Sequence, residues 1–203
     1  MHIAVAGNIG SGKTTLTSLL ARHYHWEPHY ERVEENPYLH DFYDDMQKWA
    51  FNLQVYLLTR RFQHLLGIAN TKQVVIQDRT IYEDVAIFAP NLFDMGLMSK
   101  RDFDTYLRLF EQIASVISMP HLTIYLRASV PTLVSQIQKR GRKFETSIRI
   151  DYLHRLNERY EAWIEKYQGR LLIVDVDQCQ FSERSEDLRQ IINKIDAELH
   201  GLF

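Results

Sequence analysis

Short apolar runs alternate with longer amphipathic stretches along the whole chain. Strands are predicted for the apolar runs Ile3–Ala6, Tyr30–Val33, Val74–Gln77, Leu122–Leu126 and Leu171–Val174. Helices are predicted for the amphipathic stretches Lys13–Tyr24, Gln47–Asn70, Thr80–Phe88, Arg101–Ile117, Val130–Lys139, Ile148–Tyr167 and Glu183–His200. Since strands that alternate with helices are joined by crossover connections, the pattern predicts an α/β fold whose parallel sheet is covered by helices on both faces.

Two of the predicted strands are apolar along nearly their whole length. Val74–Ile76 and Leu171–Val174 lack the alternation of a half-exposed strand, which is typical of strands buried on both faces of a parallel sheet. Ligands of such sheets bind at the carboxyl ends of the strands. The residues that directly follow each strand are therefore the first candidates for function.

Composition and charge narrow the range of partners. The chain has 203 residues, enough for a single domain (1–203) with a full core, and its net charge is −2. Its one cysteine, Cys179, excludes an intrachain disulfide and favours a reducing compartment. The first strand begins almost at Met1, which leaves no room for a signal peptide, and every apolar run is too short to span a membrane. We expect a cytoplasmic protein whose partners include neither nucleic acid nor membrane.

The most informative motif is Gly7–Thr14, G-N-I-G-S-G-K-T, which matches the phosphate-binding pattern G-x-x-x-x-G-K-[ST] between a predicted strand and a predicted helix. Its backbone N–H groups and the helix N-terminus can bind phosphate. Lys13 can reach the outer phosphates, and Thr14 offers a hydroxyl to Mg²⁺. The chain is predicted to bind a nucleoside triphosphate through Gly7, Asn8, Ile9, Gly10, Ser11, Gly12, Lys13, Thr14 and Thr15.

Charged side chains lie at the ends of the second and third predicted strands. Glu31 belongs to the second strand, and Asp78 and Arg79 follow the third. A kinase needs one carboxylate to accept the proton of the attacking hydroxyl, another to hold Mg²⁺, and an arginine to neutralise charge on the transferred group. Glu31 and Asp78 can divide the first two roles, and Arg79 can take the third. The alternative is an ordinary ion pair at a helix cap.

A second basic cluster, Lys-Arg-Gly-Arg-Lys at 139–143, ends the helix that begins near Val130. Such cations can simply complement the helix dipole. Their density favours instead a mobile lid near 139–147 that closes Arg140 and Arg142 over the triphosphate and excludes water. Glu145, in the same segment, could reach a substrate hydroxyl.

A third feature is a pair of helical spacings. Gln54 and Arg61 are seven residues apart on one predicted helix, and Asp84 and Phe88 are four apart on another. An amide, a carboxylate and an aromatic ring can together bind the edge and face of a nucleobase. Ordinary helix packing contains many such pairs, so the spacing leaves both interpretations open.

In combination, these residues resemble the deoxynucleoside kinase family from the phosphate-binding motif to about Trp163. The resemblance rests on an ordered set of motifs: Gly7–Thr15, Glu31-x-Val33, Tyr43 with Trp49 and Gln54, Asp78-Arg79-Thr80, Asp84, Phe88 and Arg140-Gly141-Arg142. The stretch Asn36–Leu39 and the short chain resemble the bacterial deoxyadenosine/deoxyguanosine kinases.

This resemblance implies a P-loop kinase fold with a five-stranded parallel sheet. It implies ATP-dependent, Mg²⁺-assisted phosphorylation of the 5′-hydroxyl of a deoxyribonucleoside, with deoxyadenosine and/or deoxyguanosine as substrate in nucleotide salvage. A deoxycytidine-preferring or broad-specificity kinase is the alternative. It further implies a homodimer through the helices Gln47–Asn70 and Arg101–Ile117.

The family also implies a role for each matching position. Glu31 would contact the 5′-hydroxyl and accept its proton, whereas Asp78 is the alternative proton acceptor or a partner of Mg²⁺. Arg79 would bind near the 5′-hydroxyl and the phosphate. Tyr43 and Glu145 would bind the 3′-hydroxyl of the sugar. The base would be bound by Gln54, Arg61, Asp84 and Phe88.

Three positions depart from the family pattern. Arg32 stands where proline is usual, Thr80 replaces a common serine, and Gln136 occupies a position that is often arginine, whose charge Lys139 would supply instead. Two other functions fit the sequence less well. A nucleoside monophosphate kinase needs more acceptor-site cations than Arg61 alone, and a nucleotide switch usually carries an Asn-Lys-x-Asp signature that this sequence lacks.

Overall fold

The computed structural model describes residues 1–31, 35–142, 145 and 147–201. Its sheet contains five parallel strands in the order β2-β3-β1-β4-β5. The strands are β1 His2–Gly7, β2 Glu27–His29, β3 Val75–Asp78, β4 Leu122–Arg127 and β5 Leu171–Asp175. The predicted α/β fold with a five-stranded parallel sheet is therefore confirmed.

Helices connect and cover these strands. In chain order they are α1 Lys13–Tyr24, α2 Leu39–Asp44, α3 Met46–Asn70, α4 Ile81–Glu83, α5 Ala89–Asp94, α6 Lys100–Ala114, α7 Val130–Arg140, α8 Ile150–Glu165 and α9 Ser185–His200. A π-helical segment, Asp84–Phe88, joins α4 to α5. Across the described part of the chain, every helix is too short or too polar to span a membrane.

Alternate side chains of the central strands enter two different cores. Ile3 and Val5 of β1 pack in a cluster with α1 and α9, whereas Ala6 packs in a cluster with α3 and α8. Every residue of β1 and β3 is buried. This double burial explains why the strands read as apolar runs, and it fixes the sheet between two helical layers.

The predicted position of the second strand was wrong. The sequence predicted a strand over Tyr30–Val33, whereas β2 spans Glu27–His29. Tyr30 and Glu31 lie outside any strand, and Arg32 and Val33 lie outside the described residues. β2 pairs with β3 and is an edge strand, where Pro28 needs no partner for its missing N–H. β2 is held in the sheet by backbone hydrogen bonds, such as the one from the Glu27 N–H to the Val74 carbonyl (2.9 Å), and not by an apolar side-chain pattern.

One helical prediction also changed, and one short helix was not predicted. The predicted helix Thr80–Phe88 begins at Ile81, widens to π geometry over Asp84–Phe88 and continues past Pro90 as α5. Because Pro90 has no N–H for an i→i−4 hydrogen bond, the regular helix is interrupted, and the wider π-helical turn lies directly before the proline. Tyr43 lies on the short helix α2, which is separated from α3 by Asp45; the Asp45 side chain accepts a hydrogen bond from the Lys48 N–H.

The buried histidine at the start of β1 generates a pH prediction. Burial lowers the pKa of His2 from 6.5 to about 4. Between these values the unfolded chain binds a proton that the folded protein does not, so stability falls as the pH falls from 6.5 towards 4. We expect this loss to approach a limit on the order of 3 kcal/mol. His2→Gln should remove that part of the pH dependence, as measured by urea unfolding at several pH values.

His154→Gln is the matched control, because His154 is exposed on α8. This variant should keep the pH dependence of the unmodified protein. An unchanged slope in the His2→Gln protein would contradict the prediction.

Candidate active site

The phosphate loop, Gly7–Thr14, turns sharply between β1 and α1. Gly10 and Gly12 have φ angles of 86° and 92°, the left-handed region that favours glycine. A Cβ atom at Gly10 would lie 2.8 Å from the Leu133 carbonyl oxygen, so neither the angle nor the space admits a side chain. The loop therefore brings backbone N–H groups and the N-terminus of α1 to one place, as phosphate binding requires.

Two side chains of the phosphate loop are held by the protein itself. The Asn8 amide donates to the Leu153 carbonyl (3.1 Å) and to Asn157 Oδ1 (3.0 Å), which anchors the loop to α8. Lys13 Nζ donates to the Asn8 carbonyl (2.9 Å). Burial and the nearby Arg79 lower the pKa of Lys13 to about 7. An anion in the loop would favour the charged form of this lysine.

Thr14 and Asp78 meet at the carboxyl ends of β1 and β3. Thr14 Oγ1 donates to Asp78 Oδ2 at 2.5 Å. Asp78 Oδ1 is buried and has no hydrogen-bond partner among the described residues. Burial raises the pKa of Asp78, although Lys13 opposes that shift. A hydroxyl beside an unpaired carboxylate oxygen is a set of donors that suits Mg²⁺.

Two arginines surround Glu31. Arg61 donates to Glu31 Oε1 at 2.6 Å and to Asp84 Oδ2 at 2.6 Å, and Arg79 Nε lies 3.3 Å from Glu31 Oε2. Burial alone would raise the pKa of Glu31, but Arg61, Arg79 and Lys13 together lower it to about 2. Glu31 is therefore an ionised carboxylate at neutral pH.

Arg79 is fixed on several sides. Its backbone has a φ of 66°, which is unusual outside glycine, and its N–H donates to the Val5 carbonyl at 3.0 Å. The guanidinium donates to the Tyr160 hydroxyl at 2.9 Å and stacks 4.5 Å from the centre of the Phe88 ring. These contacts fix the guanidinium of Arg79, which also lines the cleft described next.

One cleft brings most of the predicted side chains together. It contains about 1170 Å³ of space free of protein atoms, part of which is open to solvent. The predicted residues that line it are Ile9, Gly10, Lys13, Thr14, Glu31, Tyr43, Gln54, Arg61, Asp78, Arg79, Asp84, Phe88, Arg140, Arg142 and Glu145. The cleft is also lined by residues for which the sequence predicted no role, among them Leu57, Arg60, His64 and Tyr152.

The far end of the cleft carries unpaired acceptors. Gln54 Oε1 and Asp84 Oδ1 are both buried, and neither has a hydrogen-bond partner in the described part of the chain. Burial raises the pKa of Asp84, with Arg61 opposing it. Phe88 lies in the same wall. A flat ligand with N–H donors would satisfy both acceptors while its face contacts the ring.

Glu145 pairs with the two arginines predicted for the lid. Arg140 donates to both of its carboxylate oxygens, at 3.0 and 2.5 Å, and Arg142 Nη1 lies 3.6 Å from Oε1. Lys139 pairs with Glu183 at 2.7 Å. Residues 143, 144 and 146 of the predicted lid lie outside the described residues. Tyr43 also lines this cleft. Burial raises the pKa of its hydroxyl, and the nearby Tyr152 and Glu145 raise it further.

A second pocket adjoins the phosphate loop. It is lined by Gly12, Thr15, Thr132, Gln136, Val176, Asp177, Cys179, Gln180, Phe181, Ser182 and Glu183. Gly12 and Thr15 are the predicted nucleotide-binding residues that face it, whereas Gly7, Asn8 and Ser11 line neither cavity. The phosphate loop thus lies between two pockets.

Glu83 is a buried residue that the sequence analysis missed. It accepts hydrogen bonds from the Gly7 N–H (3.1 Å), the Thr80 N–H (2.8 Å) and the Tyr160 hydroxyl (2.7 Å). One signal was available: Thr80-x-x-Glu83 forms a capping box at the start of α4. The contacts with Gly7 and Tyr160 connect residues 76 and 77 positions apart, which a local pattern cannot indicate.

A phosphate loop beside buried carboxylates, arginines and a second ligand-sized cleft defines a P-loop phosphotransferase. The family model described as "Deoxynucleoside kinase" matches residues 3–200. A deoxyadenosine/deoxycytidine kinase of Bacillus subtilis is 35% identical over 201 residues, covering 98% of this chain and 93% of the relative. A deoxyguanosine kinase of Lactobacillus johnsonii is 36% identical, covering 97% and 92%.

Solved structures agree with these relatives. A deoxyadenosine kinase from M. mycoides with bound dATP superimposes with a TM-score of 0.86 at 32% identity, covering 97% of this chain and 99% of that chain. This chain belongs to the deoxynucleoside kinase family, as the resemblance predicted, and is an enzyme that phosphorylates deoxynucleosides.

The geometry of the phosphate loop generates a prediction about Gly10. Gly10→Ala should lose about 1–2 kcal/mol of stability from its φ angle, with a further loss from the clash at Leu133. The displaced loop should bind ATP at least about tenfold more weakly, measured by titration calorimetry.

Gly96→Ala is its control, because Gly96 has a φ of 71° and nothing lies within 4 Å of the added Cβ. This variant should lose stability because of its positive φ angle, but should bind ATP with normal affinity. Equal ATP affinity in the two variants would contradict the assignment of Gly10.

Proposed function

We propose that this enzyme transfers the γ-phosphate of ATP to the 5′-hydroxyl of a deoxyribonucleoside in nucleotide salvage, with deoxyadenosine and/or deoxyguanosine preferred. The observation that carries the proposal is the continuity of the cleft. It runs from Lys13 and Thr14 past Glu31 and Arg79 to the unpaired acceptors of Gln54 and Asp84. A nucleoside in this cleft would direct its sugar towards the phosphate loop and its base towards Phe88.

ATP is proposed to bind with its phosphates on the loop residues 7–15. Its base would occupy the second pocket, which adjoins the loop at Gly12 and Thr15. Thr14 and Asp78 would hold Mg²⁺, which when bound neutralises charge on the phosphates. No cluster of three or more His, Cys, Asp or Glu side chains suits a metal within the described residues. A magnesium site that uses one carboxylate and the phosphates fits that finding.

Glu31 is proposed to accept the proton of the 5′-hydroxyl. Its ionised state supports this role, and Asp78 has one oxygen already bonded to Thr14 beside the phosphate loop. Arg79 would bind near the hydroxyl and the transferred phosphoryl group. Its fixed guanidinium is an example of a preorganised charge.

The lid segment is proposed to supply further charge. Arg140 and Arg142 would reach the phosphates, and Tyr43 and Glu145 would bind the 3′-hydroxyl. Glu145 holds Arg140 through two hydrogen bonds in the ligand-free protein. A sugar hydroxyl on Glu145 would compete with that pair and would leave Arg140 available to the phosphates.

The base preference follows from the two unpaired acceptors. An exocyclic amino group, as in adenine, can donate to Gln54 Oε1 or Asp84 Oδ1, and guanine offers N–H donors on its own edge. The same acceptors suit the amino group of cytosine, so deoxycytidine is the second candidate. The names of the relatives, which include deoxyadenosine, deoxycytidine and deoxyguanosine kinases, support this set.

An uncharged nucleoside fits the acceptor end better than a monophosphate. Arg61 is already paired with Glu31 and Asp84, and Arg60 lies 3.7 Å from Glu35. A monophosphate would need cations that these carboxylates do not already neutralise. The proposal therefore excludes a nucleoside monophosphate kinase.

The remaining proposals concern the assembly and location. We propose a homodimer through α3 and α6, which pack together in a cluster that includes Leu58, Leu65 and Tyr106. Leu66 on α3 and Leu109 on α6 are 45% and 40% exposed, which supports an apolar interface there. A single kinase domain and a cytoplasmic location stay predictions from the sequence.

Replacing the proposed proton acceptor should slow phosphoryl transfer. Glu31→Gln should lower kcat by roughly 10²–10⁴-fold, because the amide cannot take up the proton, and Asp78→Asn should cause a loss of at least that size. The measurement is steady-state kinetics with a coupled assay of ADP formation. Glu27→Gln, an exposed change on β2, is the control and should keep its kcat. Near-normal turnover of Glu31→Gln would contradict its assignment.

Competition between acceptors tests the function itself. Equal amounts of the four deoxynucleosides, and separately of their 5′-monophosphates, are incubated with the enzyme, Mg²⁺ and ATP labelled on the γ-phosphate. We expect most label in dAMP and dGMP, less in dCMP and least in dTMP, because thymine lacks an amino group for the acceptors of Gln54 and Asp84. Dominant labelling of thymidine, or of the monophosphates, would contradict the proposal.

A further inference from the structure

A tyrosine and a glutamate connect Arg79 to the protein interior behind the cleft. The Tyr160 hydroxyl accepts a hydrogen bond from Arg79 Nη1 (2.9 Å) and donates one to Glu83 Oε2 (2.7 Å). Tyr160 and Glu83 are both 0% exposed, and neither is among the described residues that line the cleft. The pair therefore contacts Arg79 from the side opposite to the ligand.

The same glutamate also holds both chain segments that form the reaction centre. Its carboxylate accepts from the N–H of Gly7, where the phosphate loop begins, and from the N–H of Thr80, which follows Arg79. One buried carboxylate thus connects the end of β1 to the turn after β3. A shift of Glu83 would move the phosphate loop and Arg79 together.

Arg79 depends on such restraint more than an ordinary arginine does. Its backbone has a positive φ, a conformation that persists in a non-glycine residue when the surroundings enforce it. Its Nε contacts Glu31, its guanidinium plane stacks on Phe88, and its Nη1 donates to the Tyr160 hydroxyl. Burial raises the pKa of the Tyr160 hydroxyl, so this group stays neutral and can accept from Arg79 while it donates to Glu83.

We propose that Tyr160 and Glu83 are positioning residues for phosphoryl transfer. They act through Arg79, holding its guanidinium in the orientation that neutralises the transferred group, without touching the substrate. This inference rests on the role proposed above for Arg79. Because Arg79 acts on the reacting atoms, loss of its orientation lowers kcat and leaves the nucleoside KM nearly unchanged.

The test is a double-mutant cycle between Tyr160 and Arg79, measured as kcat and nucleoside KM at saturating ATP. Tyr160→Phe keeps the buried ring and removes the hydroxyl. It should lower kcat about tenfold or more, with KM changed less than about twofold. In the Arg79→Ala protein, the same change should have no further effect, because the group that it positions is absent.

Tyr125→Phe is a matched control. The Tyr125 ring stacks on Tyr160, and its hydroxyl likewise donates to a carboxylate, Glu161 Oε1, at 3.0 Å. Glu161 pairs with the half-exposed Arg127, away from Arg79. Tyr125→Phe should therefore keep its kcat even if thermal unfolding shows that both variants lose similar stability.

Each failure has a distinct meaning. A normal kcat in Tyr160→Phe, an equal loss in Tyr125→Phe, or a Tyr160→Phe loss that recurs in full in the Arg79→Ala protein would overturn the positioning role. A normal kcat in Arg79→Ala would instead contradict the proposed role of Arg79, and with it the basis for this inference.

Discussion

The parallel pairing of β1 with β3 is the constraint on which the active site depends. Val5 is in register with Asp78, so the phosphate loop after Gly7 and the turn at Arg79 leave the sheet side by side. The Arg79 N–H continues the pairing by donating to the Val5 carbonyl. Because the strands are buried on both faces, their register is fixed by the core, and a shift of one residue would turn Asp78 and Arg79 away from Lys13. The chemistry is thus positioned by backbone hydrogen bonds and apolar packing before any ligand binds.

Charge in the cleft is arranged so that buried carboxylates and cations neutralise one another. An unpaired buried charge is costly, and truncating one member of a buried pair leaves its partner uncompensated. Arg61 joins Glu31 to Asp84, and Arg79 lies between Glu31 and Glu83. Two groups are exceptions: burial raises the pKa of Asp84 to about 7, and burial and Arg79 together lower that of Lys13 to about 7. A triphosphate would supply the negative partner that Lys13 lacks. Without ligand, the protein therefore has uncompensated positive charge at the position where phosphate is expected.

The sequence predicted those parts of the site whose residues are close together in the chain. The phosphate loop and the Asp78-Arg79 pair were found because their function requires consecutive residues after a strand. The contacts of Asn8 with Asn157, and of Glu83 with Gly7 and Tyr160, depend on long-range packing, so neither spacing nor composition indicates them. The edge strand β2 was misplaced for a related reason: its backbone pairs with β3, but its side chains carry no apolar pattern. Family resemblance supplied Tyr43, which no local motif singles out, whereas Glu145 was found because it lies in the predicted lid segment.

The proposed role of Gln54 and Asp84 would let a stable scaffold select a base. Leaving a buried acceptor unpaired costs about 1–3 kcal/mol, and both Gln54 Oε1 and Asp84 Oδ1 stand in that state among the described residues. A base that donates to them recovers this free energy on binding, whereas a base that presents another acceptor adds a repulsive contact. Discrimination of this kind is stronger than a purely apolar pocket achieves, because the wrong base leaves polar groups buried and unpaired. If Gln54 and Asp84 bind the base as proposed, the stability that the free protein gives up at these two acceptors is recovered as selectivity for a base with N–H donors on the facing edge.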